Sequence, residues 1–315
     1  MKKILVGIIG YGNIGKKRLD AINKLKNIAE VKIICEKKKV NKKFKKIKVI
    51  RDIKKLNNYN LDLLIICTPT AISKKIYSQF VGRYHLLIEK PITLNSKNLL
   101  KNVKKSINKR KILKAGYNLK FDNGLNYIKR ILKSNLIGKV YYSKISYANG
   151  TAKSNSNNVG SIFDMASHSI NLLMWLFNSK TLKVLKSYNQ KNEFSKTYFD
   201  NGFAILKSRN ILINLHHGFC NWKNTFSLEI YGKKGSLKVY SLPKWGQQTI
   251  LYEKRVLPSG YPNVKIKKFI NDLSFKNEMY SLFENIRNIN NINYQVLKEI
   301  NYESFYTLKN SILLK

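Results

Sequence analysis

The first third of the chain alternates short apolar runs with longer polar stretches in which apolar residues recur at helical spacing. The apolar runs have the length and composition of strands that are buried on both faces of a sheet. They cover residues 4–9, 31–35, 61–67, 85–88 and 112–116. Helices are predicted between them at residues 14–25, 71–80 and 96–107. This alternation is typical of β-α units built around a parallel sheet.

The pattern changes after about residue 121. A helix, a strand at 140–147, a Ser/Asn-rich loop at 150–160 and an apolar helix at 162–177 come first. Strands then follow one another at 182–188, 202–207, 211–219, 226–231 and 236–240, before two closing helices at 276–289 and from 294 to the end. Consecutive strands favour an antiparallel sheet. We therefore predict an α/β chain of two domains, 1–120 and 121–315. The second is an α+β domain with a large, mostly antiparallel open sheet, and its last helices pack back near the first domain.

The charge of the chain raises the question of nucleic-acid binding. Its 315 residues carry 60 Lys and Arg against 17 Asp and Glu, which gives a formal charge of +43. Only eight of these cations are arginine, whereas readout of nucleic-acid bases relies on the forked guanidinium group. The lysines are spread along the whole chain with an excess of Asn, Ile, Tyr and Phe, which indicates a general bias of composition. We therefore expect no nucleic-acid partner.

The hydrophobic content and the cysteines indicate the broad class of protein. A hydrophobic fraction of 43% is sufficient for a packed core. Cys35, Cys67 and Cys220 are too widely spaced for a disulfide framework or a CxxC metal site, so we expect buried thiols and no metal. The apolar start is short and broken by glycine, and no later run approaches the ~18 apolar residues of a membrane span. These features predict a cytoplasmic protein without a membrane partner.

A glycine motif follows the first predicted strand. Gly10, Gly12 and Gly15 form a GxGxxG pattern between that strand and the first helix. Glycines at these positions allow a tight turn and a close approach of the backbone to a pyrophosphate, whose charge then faces the helix N-terminus. Glu36, 21 residues after Gly15, is suited to accept a hydrogen bond from a ribose 2′-hydroxyl. The pattern predicts a Rossmann dinucleotide-binding domain, with a glycine-rich turn of another α/β protein as the alternative.

The residues around Glu36 point to different cofactors. A carboxylate repels the 2′-phosphate of NADP, so Glu36 favours NAD. Lys37, Lys38 and Lys39 follow it and could match that phosphate, so NADP stays open. These lysines begin a cluster in which eight of the twelve residues 37–48 are lysine. The cluster is either a solvated surface or a region that attracts anionic cofactors and phosphorylated substrates.

Two other strand ends carry candidate chemistry. Thr68-Pro69 follows the third apolar run and Glu89-Lys90-Pro91 closes the fourth, both at the carboxyl edge of a parallel sheet, where ligands of such folds bind. Pro91 disfavours the helical region for Lys90 and aims its amine over that edge. A lysine whose pKa falls from ~10.4 toward ~7 to 8 can accept or donate a proton. A solvated Lys-Pro turn is the alternative.

The apolar helix at 162–177 carries Asp164 and His168, which lie four residues apart and therefore on one face. Histidine can relay a proton at neutral pH, and the aspartate can orient it or hold a substrate hydroxyl. A second interpretation is equally open, because Ser161 and Asp164 also have the spacing of a capping box. In that case Asp164 would begin the helix and His168 would be a core residue.

These four signals, in this order, resemble the Gfo/Idh/MocA oxidoreductase family, which includes glucose-fructose oxidoreductase and inositol dehydrogenase. The resemblance extends over nearly the whole chain. The segments that carry it are GIIGYGNIG followed by KKRLDAI, CTPTAIS, GRYHLLIEKPIT, AGYNLKF, GSIFDMASHSINLLMWLF and IYGKKGSLKV.

The resemblance implies an N-terminal Rossmann domain and a C-terminal α/β domain whose open sheet often forms an oligomer interface. It implies NAD(P)-dependent oxidation or reduction of a sugar or cyclitol carbon, in sugar or surface-polysaccharide metabolism. Lys90 would be the central acid/base, while Asp164 and His168 would position the reacting hydroxyl and share in proton transfer. The glycines would hold the pyrophosphate, Glu36 the adenosine ribose, and Thr68, Pro69 and Glu89 the nicotinamide side. The cofactor-binding set is Gly10, Tyr11, Gly12, Asn13, Ile14, Gly15, Glu36, Thr68, Pro69, Glu89 and Lys90.

The substrate site is less well defined by the sequence. Beside Lys90, Asp164 and His168, the substrate-binding candidates are Asn118, Lys120 and Asn158, and less directly His217 and Trp222. Each of these five could equally be a loop or sheet residue without a ligand. The chain also departs from the family pattern, with Ser73 where many relatives have His, Lys120 where many have Arg, Asn171 where Asp is common, and Gly160-Ser161 in place of a richer glycine run. These departures leave the substrate more open than the reaction.

The sequence therefore predicts a homo-oligomeric enzyme, a dimer or tetramer, that transfers a hydride between a nicotinamide and a carbinol or keto carbon of a sugar, sugar derivative or cyclitol. Two other functions stay open. One is an NAD-dependent enzyme of the same fold without net redox change, such as a glycoside-cleaving enzyme. The other is a non-catalytic nucleotide-binding protein.

Overall fold

The computed structural model describes residues 2–40, 44–150, 159–192, 198–258 and 260–315. Its internal contacts divide the chain into two units. The first unit consists of Met1–Asn118 together with Phe275–Phe305, and the second of Leu119–Ser274 together with Tyr306–Lys315. Residues 275–305 thus belong to the first unit and residues 306–315 to the second, whereas the sequence predicts a single boundary at residue 120 with the last helices packed back near the first domain.

The described elements alternate as expected in the first third of the chain. The strands are β1 (Ile4–Ile9), β2 (Ala29–Cys35), β3 (Lys48–Ile50), β4 (Leu63–Ile66), β5 (His85–Ile88), β6 (Leu113–Ala115), β7 (Val140–Ala148), β8 (Lys183–Gln190), β9 (Asn201–Ser208), β10 (Ile211–Gly218), β11 (Thr225–Gly232), β12 (Gly235–Tyr240), β13 (Gln248–Lys254) and β14 (Asn263–Phe269). The α-helices are α1 (Asn13–Asn23), α2 (Thr70–Phe80), α3 (Ser96–Asn108), α4 (Asn123–Lys133), α5 (Ser167–Leu176), α6 (Ser274–Arg287) and α7 (Tyr294–Ile312).

The first unit contains a six-stranded sheet in the order β3-β2-β1-β4-β5-β6, and every strand pair in it is parallel. All residues of β4 and β5 are buried, as strands covered on both faces should be. In α1 the buried residues Gly15, Arg18, Leu19 and Ile22 recur at the helical period. The Rossmann prediction for this part of the chain is confirmed.

Helix α6 completes the core of the first unit. Met279, Leu282 and Phe283 of α6 pack in the same buried cluster as Val6 and Ile8 of β1. Burying side chains of this size contributes about 1.5–3 kcal/mol each. These three residues lie far from β1 in the sequence, so the first unit cannot form its full core from residues 2–118 alone.

The start of α7 covers the β6 edge of this sheet. The backbone N–H of Leu113 donates to Asn301 Oδ1 at 2.7 Å, and that of Ala115 donates to Ser304 Oγ at 2.8 Å. Edge strands expose unpaired N–H groups that invite pairing with other chains. The two side chains satisfy these donors and close the edge.

The second unit contains an eight-stranded sheet in the order β14-β13-β12-β11-β7-β10-β9-β8. Only the β7–β10 pair is parallel within it, so the prediction of a large and mostly antiparallel sheet is confirmed. Lys129 of α4 fixes the C-terminal end of α5, where its ammonium donates to the carbonyls of Trp175 and Leu176 and to Asn178 Oδ1. A cation at this position also offsets the negative end of the helix dipole.

The structure differs from the predicted elements at several places. Strands β3, β13 and β14 were not predicted, and the predicted helix at 162–177 begins as a π-helical turn, Ile162–Ala166, before α5. Most of the predicted loop at 150–160 lies outside the described residues. Among the helices that the structure describes, none is long and apolar enough to span a bilayer.

Candidate active site

The predicted cofactor residues of the first unit lie where its parallel strands end. Gly10 follows β1, Glu36 follows β2, Thr68-Pro69 follows β4 and Glu89-Lys90 follows β5. Because β2, β1, β4 and β5 are neighbours in the sheet and run in the same direction, their carboxyl ends share one edge. Ligands of doubly wound sheets bind at such an edge. The structure therefore places these four segments side by side.

The glycine motif forms a turn that only glycine allows. Gly10 has a positive φ of 89°, and a Cβ on Gly15 would lie 2.2 Å from the carbonyl oxygen of Gly10. A Cβ on Gly12, in contrast, would meet no atom within 4 Å, so the space in front of it is open. No side chain caps the N-terminus of α1 at Gly12. The uncapped N–H groups and the open space suit a pyrophosphate.

Glu36 borders a cavity at the same end of the sheet. The cavity, of about 570 Å³, is lined by Tyr11, Gly12, Lys16, Asp20, Glu36, Lys38, Lys39 and Val40. Glu36 Oε2 accepts from the backbone N–H of Tyr11 at 2.7 Å, and Oε1 accepts from that of Lys38 at 3.0 Å. These bonds hold the carboxylate at the wall of the cavity. The cavity thus presents both a carboxylate and ammonium groups at the end of the sheet where the sequence predicts the adenosine of the cofactor.

Thr68 and Ser73 form a small network at the end of β4. Ser73 Oγ donates to the carbonyl oxygen of Thr68 at 2.7 Å and lies 2.9 Å from Thr68 Oγ1. Ser73 is fully buried. Ser73, which stands where many relatives have His, therefore fixes the Thr68-Pro69 turn.

Arg18 is a buried cation that belongs to none of the predicted sites. Its guanidinium pairs with Glu89 Oε1 at 2.6 Å and with Glu278 Oε2 at 2.6 Å, and neither Arg18 nor Glu278 is exposed. Burial opposes the charged guanidinium, but Glu278 and Glu89 outweigh it and raise the pKa of Arg18. A Cβ on Gly116 would lie 2.5 Å from Arg18 Nη2, so glycine leaves room for the group. The signal in the sequence is the position of Arg18 on the buried face of α1.

Lys90 comes directly after this buried ion pair. Burial raises the pKa of the Glu89 carboxyl, and Arg18 opposes that rise. Pro91 is buried, and the Lys90–Pro91 peptide bond is cis. Lys90 itself is partly exposed. The backbone of Lys90 thus lies between two anchored residues, at the sheet edge that carries the glycine turn.

The second unit contains Asp164 and His168. Asp164 lies in the π-helical turn and is partly exposed, whereas His168 in the first turn of α5 is 6% exposed. A π-helical turn inside a helix is rare overall, and where it occurs it often lies at a functional site. Ser161 Oγ does not cap this helix, since it donates to the carbonyl oxygen of Phe199 at 3.1 Å. The capping-box interpretation of Ser161 and Asp164 is therefore wrong.

An aromatic cluster in the second unit contacts His168. The period of two along β7 places Tyr147 on the buried face with Ser143 and Ile145. The Tyr147 ring meets the His168 ring edge-on at 5.6 Å and stacks on Trp245 at 5.7 Å. Lys244 Nζ donates to the Tyr147 hydroxyl at 2.9 Å. No sequence motif marks these residues, because β7 and the Pro243–Trp245 turn are far apart in the chain.

The other substrate-binding candidates have different surroundings. Asn118 is buried in the first unit, while Lys120 in the second unit is partly exposed with its ammonium over the Phe121 ring. Asn158 lies outside the described residues. Trp222 is fully exposed. His217 is fully buried beside Ser161 Oγ at 3.0 Å, and burial together with His216 lowers its pKa to about 3.

Asn171 stands where an aspartate is common in the family. Asn171 is buried and donates to Thr307 Oγ1 at 3.0 Å, so its amide belongs to the packing of α5 against α7.

In the described ranges, no group of three or more His, Cys, Asp or Glu side chains could hold a metal ion.

Two family profiles match the sequence. Residues 4–117 match a domain described as an oxidoreductase family with an NAD-binding Rossmann fold, and residues 125–238 match the GFO/IDH/MocA C-terminal domain. An inositol 2-dehydrogenase/D-chiro-inositol 3-dehydrogenase of Lacticaseibacillus casei is 23% identical over an alignment of 261 residues that covers 79% of this chain and 75% of the relative. A protein of the same name from Shouchella clausii is 20% identical over an alignment of 289 residues that covers 85% of this chain and 83% of the relative.

Solved structures share the fold at low sequence identity. A variant of KijD10, a 3-ketoreductase from Actinomadura kijaniata in complex with TDP-benzene and NADP, gives a TM-score of 0.81 at 15% identity and covers 99% of this chain and 97% of its own. The WlbA dehydrogenase from Bordetella pertussis, in complex with NADH and UDP-GlcNAcA, gives 0.67 at 18% identity and covers 76% and 80%. The two matched domains together span most of the sequence, and this chain belongs to the GFO/IDH/MocA family of NAD(P)-dependent oxidoreductases.

Proposed function

We propose that this protein interconverts a carbinol and a keto group on a sugar, a sugar derivative or a cyclitol, with Lys90 as the acid/base. When bound, the nicotinamide supplies the hydride-transfer chemistry. The observation that carries the proposal is the position of Lys90 at the carboxyl edge of the sheet, next to strands that end in the glycine turn and Thr68. The inositol dehydrogenases among the relatives and the ketoreductase among the structural neighbours support this substrate class.

The first unit would hold the cofactor along its sheet edge. The turn at Gly10, Gly12 and Gly15 would receive the pyrophosphate, because its N–H groups are uncapped and a Cβ at Gly12 would fill the open space. Glu36 would accept from the adenosine ribose. Tyr11, Asn13 and Ile14 belong to the same turn. Thr68, Pro69 and Glu89 would border the nicotinamide side.

Lys90 would take the proton of the reacting hydroxyl during oxidation and return it during reduction. General acid–base catalysis by a positioned side chain is typically worth about 10²- to 10⁴-fold in rate. Lysine is suited to this role because an amine can exist in either protonation state once its pKa approaches neutrality. The anchored residues on both sides of Lys90 fix its backbone, which limits the positions that the amine can reach.

Asp164 and His168 would orient the substrate hydroxyl and share in the proton transfer. They are four residues apart, and a π-helical turn keeps that spacing nearly on one face. The edge-on Tyr147 ring holds the His168 imidazole in place. Asn118, Lys120 and Asn158 would contribute further contacts to substrate hydroxyls.

The test of this function is a cofactor titration followed by a substrate panel. Binding of NADH and NADPH is measured by nicotinamide fluorescence. The protein with NAD or NADP is then assayed against inositols, free sugars, sugar acids and nucleotide-linked sugars by nicotinamide absorbance. We expect cofactor binding and an absorbance change with at least one polyol. Bond cleavage without net NADH formation would instead identify a glycoside-cleaving enzyme, and failure to bind either nucleotide would identify a protein that has lost the chemistry.

Replacing Glu36 with glutamine should shift the cofactor preference toward NADPH. The amide can still accept from the Tyr11 N–H, but the negative charge that repels a 2′-phosphate is gone while Lys38 and Lys39 remain at the cavity. We expect the ratio of the Kd for NADPH to the Kd for NADH to fall by about tenfold or more. The measurement is the same fluorescence titration.

Glu30→Gln is the matched control for Glu36→Gln. Glu30 lies on β2, the strand that Glu36 follows, and pairs with Lys32 at 2.7 Å, away from the residues that line the cavity. Its replacement should leave the ratio of the two Kd values unchanged. An equal ratio for Glu36→Gln and the wild type would show that Glu36 does not read the ribose.

We further propose that the enzyme is a cytoplasmic homo-oligomer, a dimer or tetramer, of sugar or surface-polysaccharide metabolism. The sheet of the second unit supports an oligomer, because Tyr188 and Phe203, which lie opposite each other on β8 and β9, are 65% and 51% exposed. Exposed apolar clusters on monomers are usually interaction sites. A monomeric mass in sedimentation equilibrium would refute the oligomer.

A further inference from the structure

We propose that Lys244 selects substrates that carry a negative charge, through an anionic carboxylate or phosphate group on the sugar. The inference rests on the proposed function and narrows its substrate class. It starts from the anion corner, a group of three residues in the second unit made of Tyr147, Lys244 and Trp245.

The ammonium group of Lys244 is held in one place by this corner. It donates to the Tyr147 hydroxyl at 2.9 Å and lies 4.4 Å from the centroid of the Trp245 ring and 5.3 Å from that of Tyr147. The turn that carries it is anchored, because Leu242 and Pro243 are buried. A lysine normally loses much rotamer freedom when it binds a ligand. Here the protein has restricted that freedom in advance, which favours binding.

The ammonium group of Lys244 faces aromatic groups, not carboxylates, in the described structure. In the part of the chain that the structure describes, no carboxylate forms an ion pair with it. The aromatic faces and the phenol oxygen attract the cation but carry no full negative charge. One N–H of the ammonium reaches Tyr147, and the side chain is exposed, so the other donors can reach a ligand. An ammonium of this kind binds carboxylate and phosphate as a point charge.

The anion corner lies beside His168, the residue that we propose orients the reacting hydroxyl. The Tyr147 ring separates the two groups, with the imidazole against the ring at 5.6 Å and the ammonium at the hydroxyl end. A sugar ring is similar in width to a tyrosine ring. A substrate whose reacting hydroxyl is held by His168 would therefore present a substituent on its far side to Lys244. A neutral substituent gains little there, whereas an anionic one gains a charge-assisted hydrogen bond.

The test measures the binding of matched probes by isothermal titration calorimetry to the NAD-loaded protein. The probes are glucose, glucuronate and glucose 1-phosphate, which share one ring and differ in charge and in its position. We expect at least one anionic probe to bind at least about tenfold more tightly than glucose, and this preference to weaken as NaCl is raised. The probe with the larger gain identifies the carboxylate or the phosphate as the recognised group.

Lys244→Met and Lys244→Arg then assign the preference to the charge. Methionine keeps most of the apolar stem, so the ratio of the glucose Kd to the Kd of the better anion should fall to about one. Arginine should keep most of the ratio, because it retains the charge. Lys223→Met, at an exposed lysine of the same unit, should leave the ratio as in the wild type.

The outcomes separate this inference from the proposed function. A wild type that binds no anionic probe better than glucose overturns the inference, as does a Lys244→Met protein that keeps the preference. Turnover of neutral polyols alone would leave the proposed function standing without the anion corner. A charge preference that depends on Lys244, in a protein that turns over no sugar, would support the corner and refute the redox function.

Discussion

Replacing Lys90 with alanine is expected to lower kcat by about two to four orders of magnitude while the Kd for NADH changes by less than about threefold. The reason is that the variant removes the proposed acid/base from the sheet edge but leaves the glycine turn and Glu36 in place. Steady-state kinetics on the best polyol of the substrate panel gives kcat, and fluorescence titration gives the Kd.

Two further variants make the Lys90 result specific. Lys90→Arg keeps the positive charge but cannot lose its proton near neutral pH, so it should not restore activity. Lys97→Ala, at an exposed lysine of α3, should behave as the wild type. Near-normal turnover of Lys90→Ala would mean that the proton leaves through another group, and the assignment of Lys90 would be wrong.

Replacing Arg18 with methionine is expected to lower the free energy of unfolding by about 3–5 kcal/mol. This is the largest loss of stability that we predict for this protein. The variant leaves Glu89 and Glu278 without the cation that pairs with both, and Glu278 has no exposure to water. A buried carboxylate without a partner must either be protonated or draw in water. Urea unfolding followed by circular dichroism measures the loss.

The matched comparison is Arg83→Met, whose guanidinium is exposed and donates to Asn57 Oδ1 at 2.7 Å. It should cost less than about 1 kcal/mol. Adding Glu278→Leu to Arg18→Met should recover part of the stability, because it removes the carboxylate that lost its partner. An Arg18→Met protein as stable as Arg83→Met would show that the ion pairs do not stabilise the fold.

The elements that followed simple hydrophobic periods were predicted from the sequence. β1 and β5 have the predicted bounds, because buried parallel strands are uninterrupted apolar runs with sharp ends. β14 was not predicted, since it is an exposed edge strand in which Lys265, Lys267 and Lys268 hide the alternation of Val264 and Ile266. Lysines on an edge strand discourage pairing with other chains.

The candidate site could be predicted where its residues are close in the sequence. The glycine motif and the Glu89-Lys90-Pro91 turn each lie at one strand end, so their neighbours in space follow from strand order. Glu278 and Lys244 could not be found in this way, because their partners Arg18 and Tyr147 are distant in the chain. The sequence does carry a hint of the role of Arg18, because arginine is scarce in this chain and this one lies on the core face of α1.

The discontinuous first unit has a consequence for folding while the protein is synthesised on the ribosome. The strands of its sheet all precede residue 118, but Met279, Phe283 and Glu278, the second carboxylate partner of Arg18, are synthesised only after the whole second sheet. Until then the nascent Rossmann segment exposes an apolar surface, and Arg18 has only Glu89 of its two carboxylate partners. Contacts between such distant parts of a chain form slowly and leave partly folded chains open to aggregation. The second unit also depends on the end of the chain, because it includes Tyr306–Lys315. We therefore expect both units to complete their cores only after the last helix has been synthesised.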